Sequence, residues 1–248
     1  MIAKTEQEIE GLKKIGRIVA LIRDDLKEMA KPGVRTIDLD LRAAELFKEH
    51  NAVSAPKSTY DFPGYTCISV NEEVAHGIPS ERVIQEGDLV NVDVSASCDG
   101  YFADTGVSFV VGKGDPRLVE LCEAAVEAFE AGAAKIKAGS KRNNAGKAAY
   151  NVARRHGFNI IETLTGHGIG TALHDEPEYI LSYYDPTDTD LWKEGSVIAF
   201  EPFVSTNARE VVEDANDGWT LRADDGSLVA QYEHTMIITK GAPIILTK

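Results

Sequence analysis

The chain has 248 residues, 43% of them hydrophobic, and a formal net charge of −14. That apolar content suits a globular core, and the acidic balance excludes the basic stripe a nucleic-acid partner would need. No apolar run approaches the ~20 residues that span a bilayer, and the charged opening MIAKTEQEIEGLKK is not a signal peptide.

Taken in chain order, Thr5-x-x-Glu8 is a capping box. Ile9, Leu12, Val19, Ile22, Leu26 and Met29 then recur at helical spacing as far as the Lys31-Pro32-Gly33 stop. A second helix is predicted from Thr36 to about His50. TCISV reads as a strand leading into EVAHGIP (73–79). In NVDVSASCDGYFADTG (91–106), Val90, Val92 and Val94 alternate with Asn91, Asp93 and Ser95 before Asp99-Gly100. After it, Ala103, Thr105, Val107 and Phe109 alternate with Asp104, Gly106 and Ser108. This is a hairpin pattern. A two-residue Asp-Gly turn places Asp93 opposite Gly106 with Asp104 on the diagonal, and a four-residue loop places the two aspartates directly opposite. Both registers put them on one face, where like charges repel.

The second half opens as the first did. Asp115 caps a helix with Pro116 at its first position, predicted to run to about Lys137-Ala138-Gly139, and another follows Ser140 to His156-Gly157. TGHGIG (165–170) shares His-Gly-Ile with EVAHGIP, and EGSVIAFEP (194–202) resembles EGDLVNVDV (86–94), which sets Glu201 against Asp93. Asp104 finds its counterpart in Glu233 of AQYEHTMIIT (230–239), expected on the strand after the Asp225-Gly226 turn. The repeat predicts one domain over 1–248 with halves at about 1–114 and 115–248.

Each of these residues alone has an ordinary explanation. An aspartate in a strand usually faces solvent, a glutamate before proline is usually a strand end, and His76 and His174 fit surface loops. GHGIG lacks the GxGxxG spacing and following helix of a phosphate loop. Together they ask for more. Four carboxylates converging in a curved sheet need cations, and no lysine or arginine stands beside Asp93, Asp104, Glu201 or Glu233 in sequence. Two divalent ions held by the carboxylates and a histidine would supply the charge. The oxygen-rich, cysteine-free set disfavours a structural zinc site and suits Mn, Fe(II) or Co. The cysteines Cys67, Cys98 and Cys122 form no CxxC pair and read as free thiols of a reducing cytosol.

NVDVSASCDGYFADTG, TGHGIGTALHDEP, EPF and QYEHT together resemble the successive motifs of the type I methionine aminopeptidases, from the first helix to the last strand. The resemblance implies an α+β pita-bread fold: two pseudo-symmetric halves whose curved antiparallel sheet, flanked by helices, carries a dinuclear metal site. Carried over, the metal ligands would be Asp93, Asp104, His167, Glu201 and Glu233, and the ions two of Co, Mn, Fe(II) or Zn. His76 and His174 would contact the peptide, Glu201 would relay a proton, and Tyr60, Phe62, Cys67 and Trp219 would wall the methionine pocket. Leu173 stands where many relatives place an aromatic. The implied substrate is the N-terminus of a nascent polypeptide at the ribosome whose second residue is small. The expected setting is the cytoplasm, with a monomeric enzyme and no membrane or nucleic-acid partner. Two rivals share motifs with this reading. Prolidase and aminopeptidase P keep all five ligands but usually carry an added N-terminal domain, and non-catalytic relatives typically lose ligands and gain basic surface.

Overall fold

Thr5 Oγ1 accepts from the Glu8 amide at 3.2 Å while the Glu8 carboxylate accepts from the Thr5 amide at 2.8 Å. The capping box therefore forms, and caps of this kind are worth about 1 kcal/mol. It opens α1 (Glu6–Met29) in the computed structural model, which describes residues 1–248. After it come α2 (Thr36–Glu49), β1 (Val53–Ser54), α3 (Ala55–Tyr60), β2 (Cys67–Val70), β3 (Glu73–Ala75), β4 (Leu89–Cys98) and β5 (Tyr101–Val110). The buried stripe of α1, with Ile15, Val19, Ile22 and Leu26, packs with α2 onto Val90, Val92, Val94 and Ala96 of β4. Burying each such side chain contributes roughly 1.5–3 kcal/mol. Arg42 on α2 grips Asp25 on α1 through two nitrogens, at 3.0 and 3.1 Å.

β4 and β5 form an uninterrupted antiparallel pair of ten residues each. Asp99 and Gly100 both have positive φ, 53° and 84°, the backbone of a two-residue type I′ turn. The shorter register is the one realised. Asp93 faces Gly106 and Ser95 faces Asp104, so the aspartates are diagonal neighbours on the face turned away from α1 and α2.

The second helical pair is α4 (Pro116–Ala133) and α5 (Asn143–Arg155). Here α4 ends four to six residues before the predicted stop. Lys135 and Ile136 bond three residues back, to Gly132 and Ala133, and the next amides go elsewhere: Ala138 to Thr239 and Gly139 to Trp192. His156, just past α5, binds Glu127 of α4 at 2.7 Å and Glu120 at 3.3 Å. The remaining strands are β6 (Asn159–Ile160), β7 (Gly166–Gly168), β8 (Asp175–Ile180), β9 (Val197–Phe200), β10 (Phe203–Ser205), β11 (Val212–Glu213), β12 (Leu221–Arg222), β13 (Val229–Gln231), β14 (His234–Ile237) and β15 (Ile244–Ile245). β15, β14, β9, β7 and β8 make a five-stranded sheet, and β13, β10 and β6 a smaller one. Phe129, Ala145, Phe158 and Phe200 lie in the core between these sheets and α4–α5.

Glu233 does not sit on a strand as expected. β13 and β14 are separated by Tyr232 and Glu233, because both turn their backbone sideways to β5: Tyr232 bridges Val107, and the Glu233 amide donates to Gly106 O at 2.9 Å. Thr235 adds two bonds to the same strand, accepting from the Asp104 amide and donating to its carbonyl, each at 2.8 Å. No helix is long and apolar enough to cross a membrane.

Candidate metal centre

The polar face of the β4–β5 hairpin and the β13–β14 gap meet. They bring oxygen atoms of Asp104 and Glu233 and a ring nitrogen of His167 within 4.8 Å of one another. His167 sits on β7 beside Ala199 of β9, and its Nε2 lies 3.6 Å from Glu201 Oε1 and 4.0 Å from Asp104 Oδ2. Glu201 follows β9 directly. The register on either side of it, Phe200 with His234 and Phe203 with Gln231, sets it across from Glu233. Asp104, His167, Glu201 and Glu233 are all buried, while Asp93 is half-buried at the open side.

Burial drives the electrostatics. It pushes the Asp93 carboxyl up to about 6. The same desolvation, reinforced by neighbouring carboxylates, raises Asp104, Glu201 and Glu233 well above the ordinary range. His167 is pulled down to about 4, chiefly by burial, so its imidazole is neutral near pH 7. Its Nδ1 donates to Gly168 O at 2.9 Å, which leaves the Nε2 lone pair facing the carboxylates, the tautomer a metal requires. Asp104 Oδ1 and Glu233 Oε1 are buried without any hydrogen-bond partner. Orphaned carboxylate oxygens are costly, and here they converge with a nitrogen lone pair. The donor set therefore fits divalent cations.

Several residues that shape the centre were missed by sequence reasoning. Gln231 Nε2 donates to both Glu201 Oε2 and Glu233 Oε2 at 3.1 Å, and Asn91 Nδ2 holds Gln231 Oε1 at 2.9 Å. A Cβ on Gly106 would lie 2.3 Å from that same Oε1, so the glycine gives the amide its room. Arg23, buried on α1, donates to Thr105 Oγ1 at 2.7 Å, which in turn donates to Glu233 O at 2.9 Å. Gln231 and Gly106 lie inside quoted motifs, where the alternation already put Gly106 on the aspartate face. Arg23 carried no sequence signal.

A cavity of ≈ 290 Å³ opens on this cluster and is walled by Phe62, Cys67, Leu173 and Trp219 together with Pro56 and Tyr60. Phe62 and Trp219 meet edge to face at 5.2 Å, and Cys67 stands across the ladder from Asp93. All four predicted pocket residues line it. Burial and the nearby carboxylates push the Cys67 thiol well up, keeping it neutral. A larger cleft, ≈ 580 Å³, adjoins this cavity, shares His76 and His174 with its lining and runs on past Thr165 and Tyr179. His76 and His174 reach solvent at this mouth, yet the concave wall holds both imidazoles below their usual pKa by desolvation. The His174 ring lies 4.2 Å from that of His167, and its Nδ1 is 2.6 Å from Tyr60 OH.

A buried acidic cluster with one neutral imidazole, in an α+β frame of helix pairs over antiparallel sheets, defines a metallohydrolase. The model of metallopeptidase family M24 matches residues 10–240, and the chain belongs to that family. Its fold is the pita-bread fold. It is 57% identical to methionine aminopeptidase 2 of Bacillus subtilis (strain 168), each chain covered over its full length. The crystal structure of methionine aminopeptidase from Thermotoga maritima superposes with a TM-score of 0.95 at 37% identity, again with complete coverage of both chains. A prolidase from Pyrococcus furiosus shares the fold more distantly, with a TM-score of 0.78 at 24% identity over 65% of its chain.

Proposed function

We propose that this chain is a dinuclear-metal aminopeptidase that removes the N-terminal methionine from polypeptides whose second residue is small. The observation that carries the reading is one juxtaposition: an apolar cavity of ≈ 290 Å³ ending on a buried carboxylate–imidazole cluster. Methionine, unbranched and polarisable, fills irregular apolar space of this kind. The family and the named relatives support the same activity.

In this reading Asp93, Asp104, His167, Glu201 and Glu233 hold two divalent cations, of Co, Mn, Fe(II) or Zn. When bound, such ions polarise a carbonyl and make water a usable nucleophile near neutral pH. The protein's own residues do the rest. Phe62, Cys67, Leu173 and Trp219 take the methionine side chain and exclude water from it. Glu201, with its carboxyl raised by burial, moves a proton from water to the leaving nitrogen. His174 and His76 hold the peptide at the mouth, and preorganised donors at such positions are worth about 3 kcal/mol at the transition state. The residue after methionine lies on the His76 side. Residues 1–248 act as one catalytic domain of two pseudo-symmetric halves, monomeric and cytoplasmic, on nascent chains at the ribosome.

The test is kcat/KM for a Met-X-Ser series at fixed metal, alongside Ala-Pro-Ala. Rapid release of methionine when X is Gly, Ala or Ser, falling as X grows, is expected. Cleavage of Ala-Pro-Ala instead would assign the chain to the proline-directed branch of the fold, and a flat profile across X would remove the second-residue claim.

A further inference from the structure

The segment from Tyr60 to Phe62 divides its two aromatic rings between two tasks. Asp61 closes α3 in the left-handed region, at φ 59°. That reversal lets Phe62 turn inward, 2% exposed and edge-on to Trp219, while Tyr60 stays at the surface, 44% exposed. The Tyr60 hydroxyl reaches across to a residue 114 positions away, with its oxygen 2.6 Å from His174 Nδ1 and the rings tilted at 5.5 Å. No other hydrogen bond engages either His174 nitrogen.

We propose that Tyr60 is a positioning residue that fixes the tautomer of His174. A phenol is a better donor than acceptor, and a neutral imidazole nitrogen is a good acceptor, so the hydroxyl donates to Nδ1. A neutral imidazole carries one N–H. With Nδ1 occupied as an acceptor, that hydrogen stands on Nε2, the atom left free to donate into the cleft. Without the hydroxyl the hydrogen divides between the two nitrogens, and only part of the population can donate to a carbonyl oxygen. The same three residues then link side-chain recognition to chemistry: Phe62 lines the methionine cavity, and Tyr60, one left-handed residue earlier, sets the donor beside it. This deepens the proposed aminopeptidase reading, because it rests on His174 contacting the peptide there.

The experiment is Tyr60→Phe, which removes one oxygen from a half-exposed ring and leaves the fold's packing in place. Two readouts are taken on the metal-loaded protein. With Met-Ala-Ser, kcat should fall about 10- to 100-fold, the range typical of losing an outer partner that orients a functional imidazole, with KM and bound-metal content unchanged. In ¹⁵N-labelled protein, the His174 ring nitrogens should move from a pure Nε2–H pattern in the wild type towards averaged shifts in Tyr60→Phe. A wild-type Nδ1–H pattern, or a variant with unchanged kcat and unchanged shifts, overturns the proposal. A fall in kcat that comes with lost metal, or with unchanged ring shifts, also overturns it in favour of a structural role for Tyr60. Failure of the aminopeptidase reading is separately visible, since wild type would then not release methionine while the ring spectra still report the tautomer.

Discussion

The two carboxylate pairs are held in opposite ways. Asp93 and Asp104 stay inside a continuous ladder, two residues out of register with each other, opposite Gly106 and Ser95. Glu201 and Glu233 fall directly opposite, and there the ladder stops: β9 gives way to β10 and β14 to β13, with the glutamates in the gap. Diagonal like charges can be tolerated in paired strands, whereas directly opposed ones press hardest. The gap frees the Glu233 amide for Gly106 O, which draws the glutamate side onto the aspartate side. The hairpin is held by a complete backbone ladder, while in the gap Gln231 bridges both glutamates.

The most severe way to break this comparison is Asp104→Asn. It removes a buried carboxylate oxygen from the rigid side, and peptidase activity should drop to background. In thermal melts a divalent ion at about 100-fold its Kd should stabilise the wild type by about 2.7 kcal/mol, and this gain should vanish in the variant. A variant that keeps both activity and the metal-dependent gain would remove Asp104 from the centre.

Next come two substitutions that act on the Gln231 bridge across the gap. Gln231→Leu deletes the donors to both glutamates, and Gly106→Ala drives a Cβ into the Gln231 amide from the hairpin side. Both should weaken metal binding by about 10- to 100-fold, read by competition with a chelating dye. If Gly106→Ala alone were silent, the amide would have another place to lie and would not be pinned by Asn91.

A pH experiment sharpens the electrostatic side. A carboxyl with a raised folded pKa holds a proton that the unfolded chain would already have lost. For Asp93, at about 6, that favours the metal-free fold at low pH, and the contribution is lost as pH rises from the ordinary value towards 6. Metal binding displaces such protons. Calorimetry in buffers of different ionisation enthalpy should therefore show proton release at about pH 5 that declines by about pH 8, with affinity rising. No proton release at about pH 5 would mean that the carboxylates are already ionised there.

The smallest expected effect separates the helical covers. Arg42 with Asp25 ties α1 to α2 through a guanidinium–carboxylate pair, while His156 with Glu127 and Glu120 ties α5 to α4. The Glu127 bond raises the His156 pKa above its ordinary value. Its contribution is then complete below about pH 6.5 and fades as pH rises through the folded value. The pair is partly exposed, so His156→Gln should cost at most about 0.5–1 kcal/mol. Protection factors, with the intrinsic pH dependence of amide exchange divided out, should fall in α4–α5 above neutral pH and stay constant in α1–α2. Equal response in both covers would refute the assignment.

Much of this was legible in sequence because it is local. Capping at Thr5 and Asp115, the Asp99-Gly100 turn and the alternation around Asp93 depend on residues within a few positions. What stayed hidden depends on partners far along the chain. The early stop of α4 follows from Thr239 and Trp192 taking its next amides, and the gap at Glu233 follows from β5. The bond from Tyr60 to His174 joins residues 114 positions apart. Trp219 and Phe62 were expected at the pocket, but their edge-on contact required the fold.

The pair of bonds between Thr235 and Asp104 spans 131 positions. Loops of that length close late and slowly, since their entropy must be met before the contact forms. The hairpin and its two helices can gather among residues close in sequence, but the acidic centre cannot exist until residues 233–235 have docked. During synthesis the partly made chain therefore holds the Asp93–Asp104 pair without Glu233, whose segment completes the cluster only when it docks. Competence is acquired in one late step, when almost all of the chain is present.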